Sequence, residues 1–205
     1  MLWEIRIFGH LKQRHPLKGV SELGEGWCVW VTGLPGSGKS VVAEMLIRFL
    51  LQRGIRAQLL SSDALRKVLT PKPTYSLEER DIVYATLTYI ARLLTQNGVN
   101  VVIDATGNLR RYRDNARNQI RKFIEAYLEC PLEVCIERES QRAETRQAPR
   151  QIYARALKGE APTVPGVGQP YEPPVNPEVT VNTAECAPEY AAHKILEAII
   201  GRWYT

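Results

Sequence analysis

A chain of 205 residues, 44% hydrophobic and 24% charged, is sized for one α/β domain with its own core. It contains no run of 18 apolar residues, so no membrane span is expected, and its four cysteines, Cys28, Cys130, Cys135 and Cys186, match no zinc or redox spacing and read as small buried residues. The net charge of +5 rests on 19 arginines and 8 lysines without an aromatic-interleaved basic tract, which points to an anionic small molecule rather than nucleic acid.

The opening "MLWEIRIFGHLKQRHP" has scattered charges and no signal-peptide core, so a cytoplasmic protein is expected. "WCVWVTG" is an apolar run ending in glycine and reads as a buried strand. "GLPGSGKS" follows, satisfying G-x-x-x-x-G-K-[ST] between a strand and a helix, the context that motif requires. Its glycines let backbone N–H groups turn inward around phosphate oxygens, and the helix N-terminus adds partial positive charge. Gly33, Leu34, Pro35, Gly36, Ser37, Gly38, Lys39 and Ser40 are therefore expected at ATP, with Lys39 on the β- and γ-phosphates and Ser40 on Mg²⁺.

"SVVAEMLIRFLLQRG" is a helix with a glycine stop. "IRAQLLSSD" is a second strand ending near Asp63, with Arg66 three residues on. Asp63 reads either as a carboxylate beside an acceptor hydroxyl, with Arg66 on an acceptor anion, or as a helix N-cap. "SLEERDIVYATLTYIARLLTQNG" opens with the capping-box pair Ser76 and Glu79 and runs with helical period to Asn97-Gly98. "VNVVIDATG" is a third strand; Asp104 at its end is either a metal-side carboxylate or the cap of the basic helix "LRRYRDNARNQIRKF". "IEAYLE" is a fourth strand and "PLEVCIERE" a short helix with proline in its first turn.

"ESQRAETRQAPRQIYARALKGE" is polar and arginine-rich. It reads as a lid, about residues 139–163, that would exclude water and bring Arg142, Arg146 or Arg150 to the transferring phosphate, or else as a solvated helix. "APTVPGVGQPYEPPVNPE" reads as a structured loop within one domain spanning 1–205. "EVTVNT" is a fifth strand and "APEYAAHKILEAIIG" the closing helix. Strands alternating with helices give a parallel sheet covered on both faces, with ligands beyond the carboxyl ends of the strands. The absence of an N-K-x-D run argues against a GTPase, and the chain's size favours phosphate transfer over a switch.

"CPLEVCIERE", "IYARALKGE", "VPGVGQPYEPPVNPE" and the upstream "VWVTGLPGSGKS" together resemble the adenylylsulfate kinases, from about Trp30 to Thr183. The run Pro170-Tyr171-Glu172-Pro173-Pro174 with Asn176-Pro177-Glu178 is the most specific element. The resemblance implies a P-loop NTPase fold with a five-stranded parallel sheet of nucleoside-monophosphate-kinase type plus a lid. It also implies Mg²⁺-dependent transfer of the γ-phosphate of ATP to the 3′-hydroxyl of adenylyl sulfate, and a homodimer. The family's D-G-D-N-V-R falls on "SSDALR", so Asp63 and Arg66 hold its second Asp and its Arg. Seventeen residues after Asp63, Arg80 holds the arginine of F-S-x-x-x-R, with Tyr75 in the aromatic position. Arg150 falls on the lid lysine, Ile152 and Tyr153 on the L-Y that follows, and Arg138 on the arginine of P-L-E-V-C-E-x-R-D. By this resemblance Lys39, Asp63 and Arg150 are catalytic, and Arg138 joins the phosphate loop at ATP. Asp63, Arg66, Tyr75, Arg80, Thr106, Ile152 and Val164 face the acceptor, and Ser40 holds the metal with Asp63 or Asp104 acting through water.

The departures concentrate on the acceptor side. Ser61 replaces the family's first Asp and Val83 an asparagine; "ATGN" replaces F-I-S-P, so Gly107 stands at the serine and a phosphoserine intermediate there is excluded. Val164 replaces a phenylalanine, Gly168 an aspartate, and the lid is longer around "QRAETRQA". "VVIDATGNLRRYRDNAR" also looks like other phosphate-loop kinases, including polynucleotide-kinase-like ones, in which the following Asn-Leu and arginines line the acceptor site. Two alternatives therefore stand beside the leading reading: a kinase of another small anionic hydroxyl compound or a nucleic-acid end, and a nucleotide-binding module without transfer.

Overall fold

The structure is a computed structural model and describes residues 24–141 and 151–204. Its centre is β1 (Cys28–Thr32), five residues buried without exception. Successive side chains of a strand point to opposite faces. A strand covered on both sides must therefore be apolar throughout rather than alternating. Val29 and Val31 face one core, with Leu46 and Leu50 of α1 (Lys39–Gln52) and Ile195 and Ile199 of α7 (Pro188–Trp203). Cys28 and Trp30 face the other, with Tyr84, Leu87 and Ala91 of α3 (Leu77–Gln96) and Tyr112 and Ala116 of α4 (Arg110–Gln119).

The remaining strands are β2 (Ala57–Ser61), β3 (Asn100–Asp104), β4 (Phe123–Glu129) and β5 (Val179–Asn182). All pair in parallel, in the order β2-β3-β1-β4-β5. β1 and β3 are thus central neighbours, and their carboxyl ends open onto one crevice, with Val31 abreast of Asp104. Among the described residues no helix is long and apolar enough to cross a membrane.

Three elements go beyond what the chain's pattern predicts. α2 (Ser62–Leu69) forms directly after β2 because Ser61 Oγ accepts from the Ala64 amide at 3.4 Å. α5 (Leu132–Ser140) leaves Pro131 outside as its N-cap rather than in its first turn, and a short α6 (Ile152–Leu157) forms within the stretch 139–163 read as a lid. α7 passes through Gly201 instead of stopping there. Trp203 stacks on Trp27 at 5.6 Å, and the Trp27 indole N–H donates to Tyr204 Oη at 3.0 Å, so tertiary contact extends the helix over its weakest residue.

Candidate active site

The phosphate loop turns on Gly36 and Gly38, at φ of 90° and 94°, which glycine adopts without steric cost. At Gly36 there is a second reason: a Cβ would lie 2.5 Å from the Cys135 carbonyl oxygen, so α5 packs directly on loop backbone. The loop is braced from behind. Tyr153 Oη donates to the Pro35 carbonyl at 2.8 Å and Thr183 Oγ1 to the Ser37 carbonyl at 3.0 Å. Arg138 donates to the Thr183 carbonyl at 2.7 Å, so its guanidinium supports the loop's support; it does not line the cavity. Lys39 Nζ reaches back to the Leu34 carbonyl at 2.9 Å.

In front of the loop lies a cavity of about 570 Å³. From the phosphate loop, Pro35, Gly36, Gly38, Lys39 and Ser40 line it, while Gly33, Leu34 and Ser37 do not. Asp104 enters from the end of β3, in register with Val31 on one side and Ser61 on the other. It is 9% exposed. Burial raises its carboxyl above the ordinary range, while Lys39 and a hydrogen bond with Ser40 pull it back. The N-cap of α4 is Leu109, so Asp104 does not cap that helix. Asp63, half-buried in the first turn of α2, is likewise not a cap, since Ser61 does that work. Among the described residues no cluster of three or more His, Cys, Asp or Glu forms a metal cage.

The cavity is also lined by Arg66, Tyr75 and Arg80, together with Thr106, Ile152 and Val164. Arg66 and Arg80 are 5% and 6% exposed, so their guanidinia are held rather than solvated. Arg66 pairs with Glu79 and lies 4.9 Å from the centre of the Tyr75 ring. Arg80 donates to the Tyr75 carbonyl at 3.2 Å and the Thr163 carbonyl at 2.6 Å, with its ring contact to Tyr75 at 6.0 Å. The Ile152 amide donates to Glu139 Oε1 at 3.1 Å, tying α6 to α5 at the rim. Arg142, Arg146 and Arg150, expected at the phosphate, lie outside the described residues.

The "ATGN" turn and the "PYEPPVNPE" loop interlock. Thr32 Oγ1 donates to the Thr106 carbonyl at 2.6 Å and shares a bond with Tyr171 Oη at 3.1 Å. Asn108, 1% exposed, donates to the Pro170 carbonyl at 3.0 Å and accepts from the Glu172 amide at 2.8 Å. Arg113 is buried against Glu125 at 2.6 Å and donates to the Gly107 and Glu172 carbonyls. Arg117 takes Glu178 at 2.7 Å, and Glu178 in turn accepts from the Glu125 amide at 2.7 Å. The α4 arginines were expected, on the polynucleotide-kinase-like pattern, to line the acceptor site. None of them borders the cavity: Arg113 and Arg117 pair with Glu125 and Glu178, and Arg110 and Arg111 are exposed.

Two departures acquire a steric meaning. A Cβ at Gly107 would meet Trp30 at 2.9 Å and Arg113 at 3.1 Å, so the space of the family's serine is filled. A Cβ at Gly168 would fall 1.9 Å from the Pro162 carbonyl oxygen, so this turn leaves no room for a side chain there. Val164 is 8% exposed and packs with Cys135, Tyr153 and Ala156 while bordering the cavity. Sequence reasoning missed Glu79 and Asn108 as members of the wall's support. Glu79 was visible only as a capping-box residue, and Asn108 only as half of an Asn-Leu pair.

The sequence profile of the adenylylsulphate kinase family matches residues 25–182. A probable adenylyl-sulfate kinase of Pyrococcus abyssi is 35% identical over 172 residues, 84% of this chain and 94% of its own length. An adenylyl-sulfate kinase of Halothermothrix orenii is 35% identical over 180 residues, 88% of this chain and 92% of its own. The Mycobacterium tuberculosis APS kinase, solved in complex with AMPPNP and APS, superposes with a TM-score of 0.76 at 31% identity, covering 86% of this chain and 98% of that one.

Proposed function

Because the chain belongs to the adenylylsulphate kinase family, we propose that it transfers the γ-phosphate of ATP to the 3′-hydroxyl of adenylyl sulfate. The observation that carries this reading is one cavity lined by Lys39 and Ser40 of the phosphate loop and also by Asp63, Arg66 and Arg80. Such a cavity can bring a phosphoryl donor and an anionic acceptor together. Lys39 and the loop amides stabilise charge on the phosphoryl oxygens as it moves. Asp63 orients the acceptor hydroxyl and takes its proton while the new P–O bond forms and the bond to the β-phosphate oxygen breaks, releasing ADP. Arg66 and Arg80 hold the acceptor's phosphosulfate.

Ser40 and Asp104 are the residues that would hold Mg²⁺. The pair suits an ion that takes one or two protein oxygens and fills its remaining positions with phosphate and water. Bound there, Mg²⁺ supplies neutralisation of charge on the β- and γ-oxygens. The reading further takes the chain as one cytoplasmic kinase domain, dimeric as the family resemblance implies, with residues 139–163 as its lid. A coupled assay of ADP formation tests the function. We expect ATP consumption that depends on adenylyl sulfate and yields its 3′-phosphorylated product; consumption only with another hydroxyl acceptor, or none with any, overturns it. Asp104 and the filled space at Gly107 favour, as the second reading, the same phosphoryl chemistry on a different anionic acceptor.

A further inference from the structure

The Ser76–Glu79 spacing is that of a capping box, and half of the box forms: Ser76 Oγ accepts from the Glu79 amide at 3.2 Å. The other half is absent, because the Ser76 amide donates to Thr74 Oγ1 at 3.3 Å instead. The Glu79 side chain, in a residue 7% exposed, turns away from its own helix. One of its oxygens takes the Arg66 guanidinium. The other accepts from the Thr74 amide at 2.5 Å, the Thr74 hydroxyl at 2.8 Å and the Tyr75 amide at 3.2 Å.

Those last bonds fall on a strained point. Tyr75 has a φ of +54°, a conformation unfavourable to a bulky side chain and kept only where its surroundings enforce it. Glu79 grips its amide and Arg80 its carbonyl. Held this way, the Tyr75 ring meets both Arg66 and Arg80 at the cavity wall, while Glu79 itself does not border the cavity. A carboxylate diverted from a local cap, buried, and bonded to two wall residues serves the wall rather than the helix.

We propose that Glu79 is the positioning residue of the acceptor chamber, setting Arg66 and Tyr75 together from behind. It touches no substrate. Because its charge is matched to Arg66, that arginine offers the acceptor aimed N–H donors more than net attraction. The proposal rests on the reading that Arg66, Tyr75 and Arg80 face the acceptor.

Glu79→Gln is isosteric, but its single acceptor oxygen cannot serve both Arg66 and the 74–75 amides. With a nonhydrolysable ATP analogue bound, calorimetry with adenylyl sulfate should show acceptor affinity falling about tenfold or more, the scale of a lost charged hydrogen bond. Affinity for the ATP analogue alone should not change, and kinetics should show the acceptor KM rising more than kcat falls. Glu79→Asp covers the case in which the Gln variant does not fold: its carboxylate is one methylene too short to span both partners, so acceptor binding should again weaken selectively. Unchanged acceptor affinity, or equal loss toward acceptor and nucleotide, overturns the proposal. If the wild-type protein does not bind adenylyl sulfate, the acceptor reading fails, and a crystal structure of the variant decides separately. Tyr75 leaving positive φ and Arg66 leaving its ring support the role of Glu79; both staying in place refutes it.

Discussion

Asp63 stands one residue inside α2, and Ser61, just outside, accepts the Ala64 amide. The sequence left two roles for Asp63, a cap or an acid–base group, because both occur after a strand. The structure gives the cap to Ser61, the residue that replaces the family's first aspartate. Asp63→Asn should therefore cost stability only through a weaker helix-dipole interaction, about 0.3–1 kcal/mol. Turnover should fall about 10²-fold or more, the usual scale of acid–base help. A thermal melt and a steady-state assay on the same preparation check this; near-normal kcat would remove Asp63 from the chemistry. Val164 teaches the opposite lesson. As a sequence position it looked like a missing ring over the acceptor, but it packs with Cys135 and Tyr153, so a phenylalanine there must displace core neighbours.

At the scale of elements, α4 has no side-chain cap of its own at Leu109. The Arg110 amide instead donates to Glu172 Oε2 at 2.8 Å, a partner 62 residues away. Glu172→Ala should cost about 0.5–2 kcal/mol, the range of a lost N-cap, read from urea denaturation; an unchanged midpoint would mean that water replaces the carboxylate. This bond marks the limit of what the chain alone reveals. Strands, the longer helices and the phosphate loop were legible because their signals are local: apolar runs, helical period, a glycine spacing; the short α2 and α6 were not. The ends Ser76 and Pro131 were legible for the same reason. Glu172 on α4, Glu178 on Arg117 and Glu79 on Arg66 were not, since each carboxylate meets its partner only when separate elements have packed together. The family-specific "PYEPPVNPE" run was visible as a resemblance, but its physical role is to clamp the turn after β3 through Asn108, Arg113 and Arg117.

For the whole molecule Glu178, Glu79 and Asp104 contribute to how stability depends on pH. Burial alone would raise the Glu178 carboxyl, but Arg117 and the Glu125 amide hold it below its ordinary value. Glu79 behaves the same way, with burial opposed by the Thr74 amide and hydroxyl and by Arg66. A carboxyl lowered on folding stabilises the protein above its unfolded pKa, about 4.3 for Glu, and that stability is lost as pH falls through the folded value. Asp104 has the reverse sign: burial raises it, so the metal-free fold loses stability as pH rises from the unfolded pKa through the raised one. Urea midpoints measured without nucleotide should therefore fall in acid, below about pH 4.3, as the two glutamates are protonated. Glu178→Gln should lower the neutral-pH midpoint and flatten the acid limb, because its proton uptake on unfolding is gone. Asp104→Asn should raise the midpoint at neutral pH while weakening the Mg²⁺ dependence of nucleotide affinity. An Asp104→Asn protein that gains no stability, yet binds the metal nucleotide normally, would show that this buried charge is satisfied within the fold and not kept for the cation.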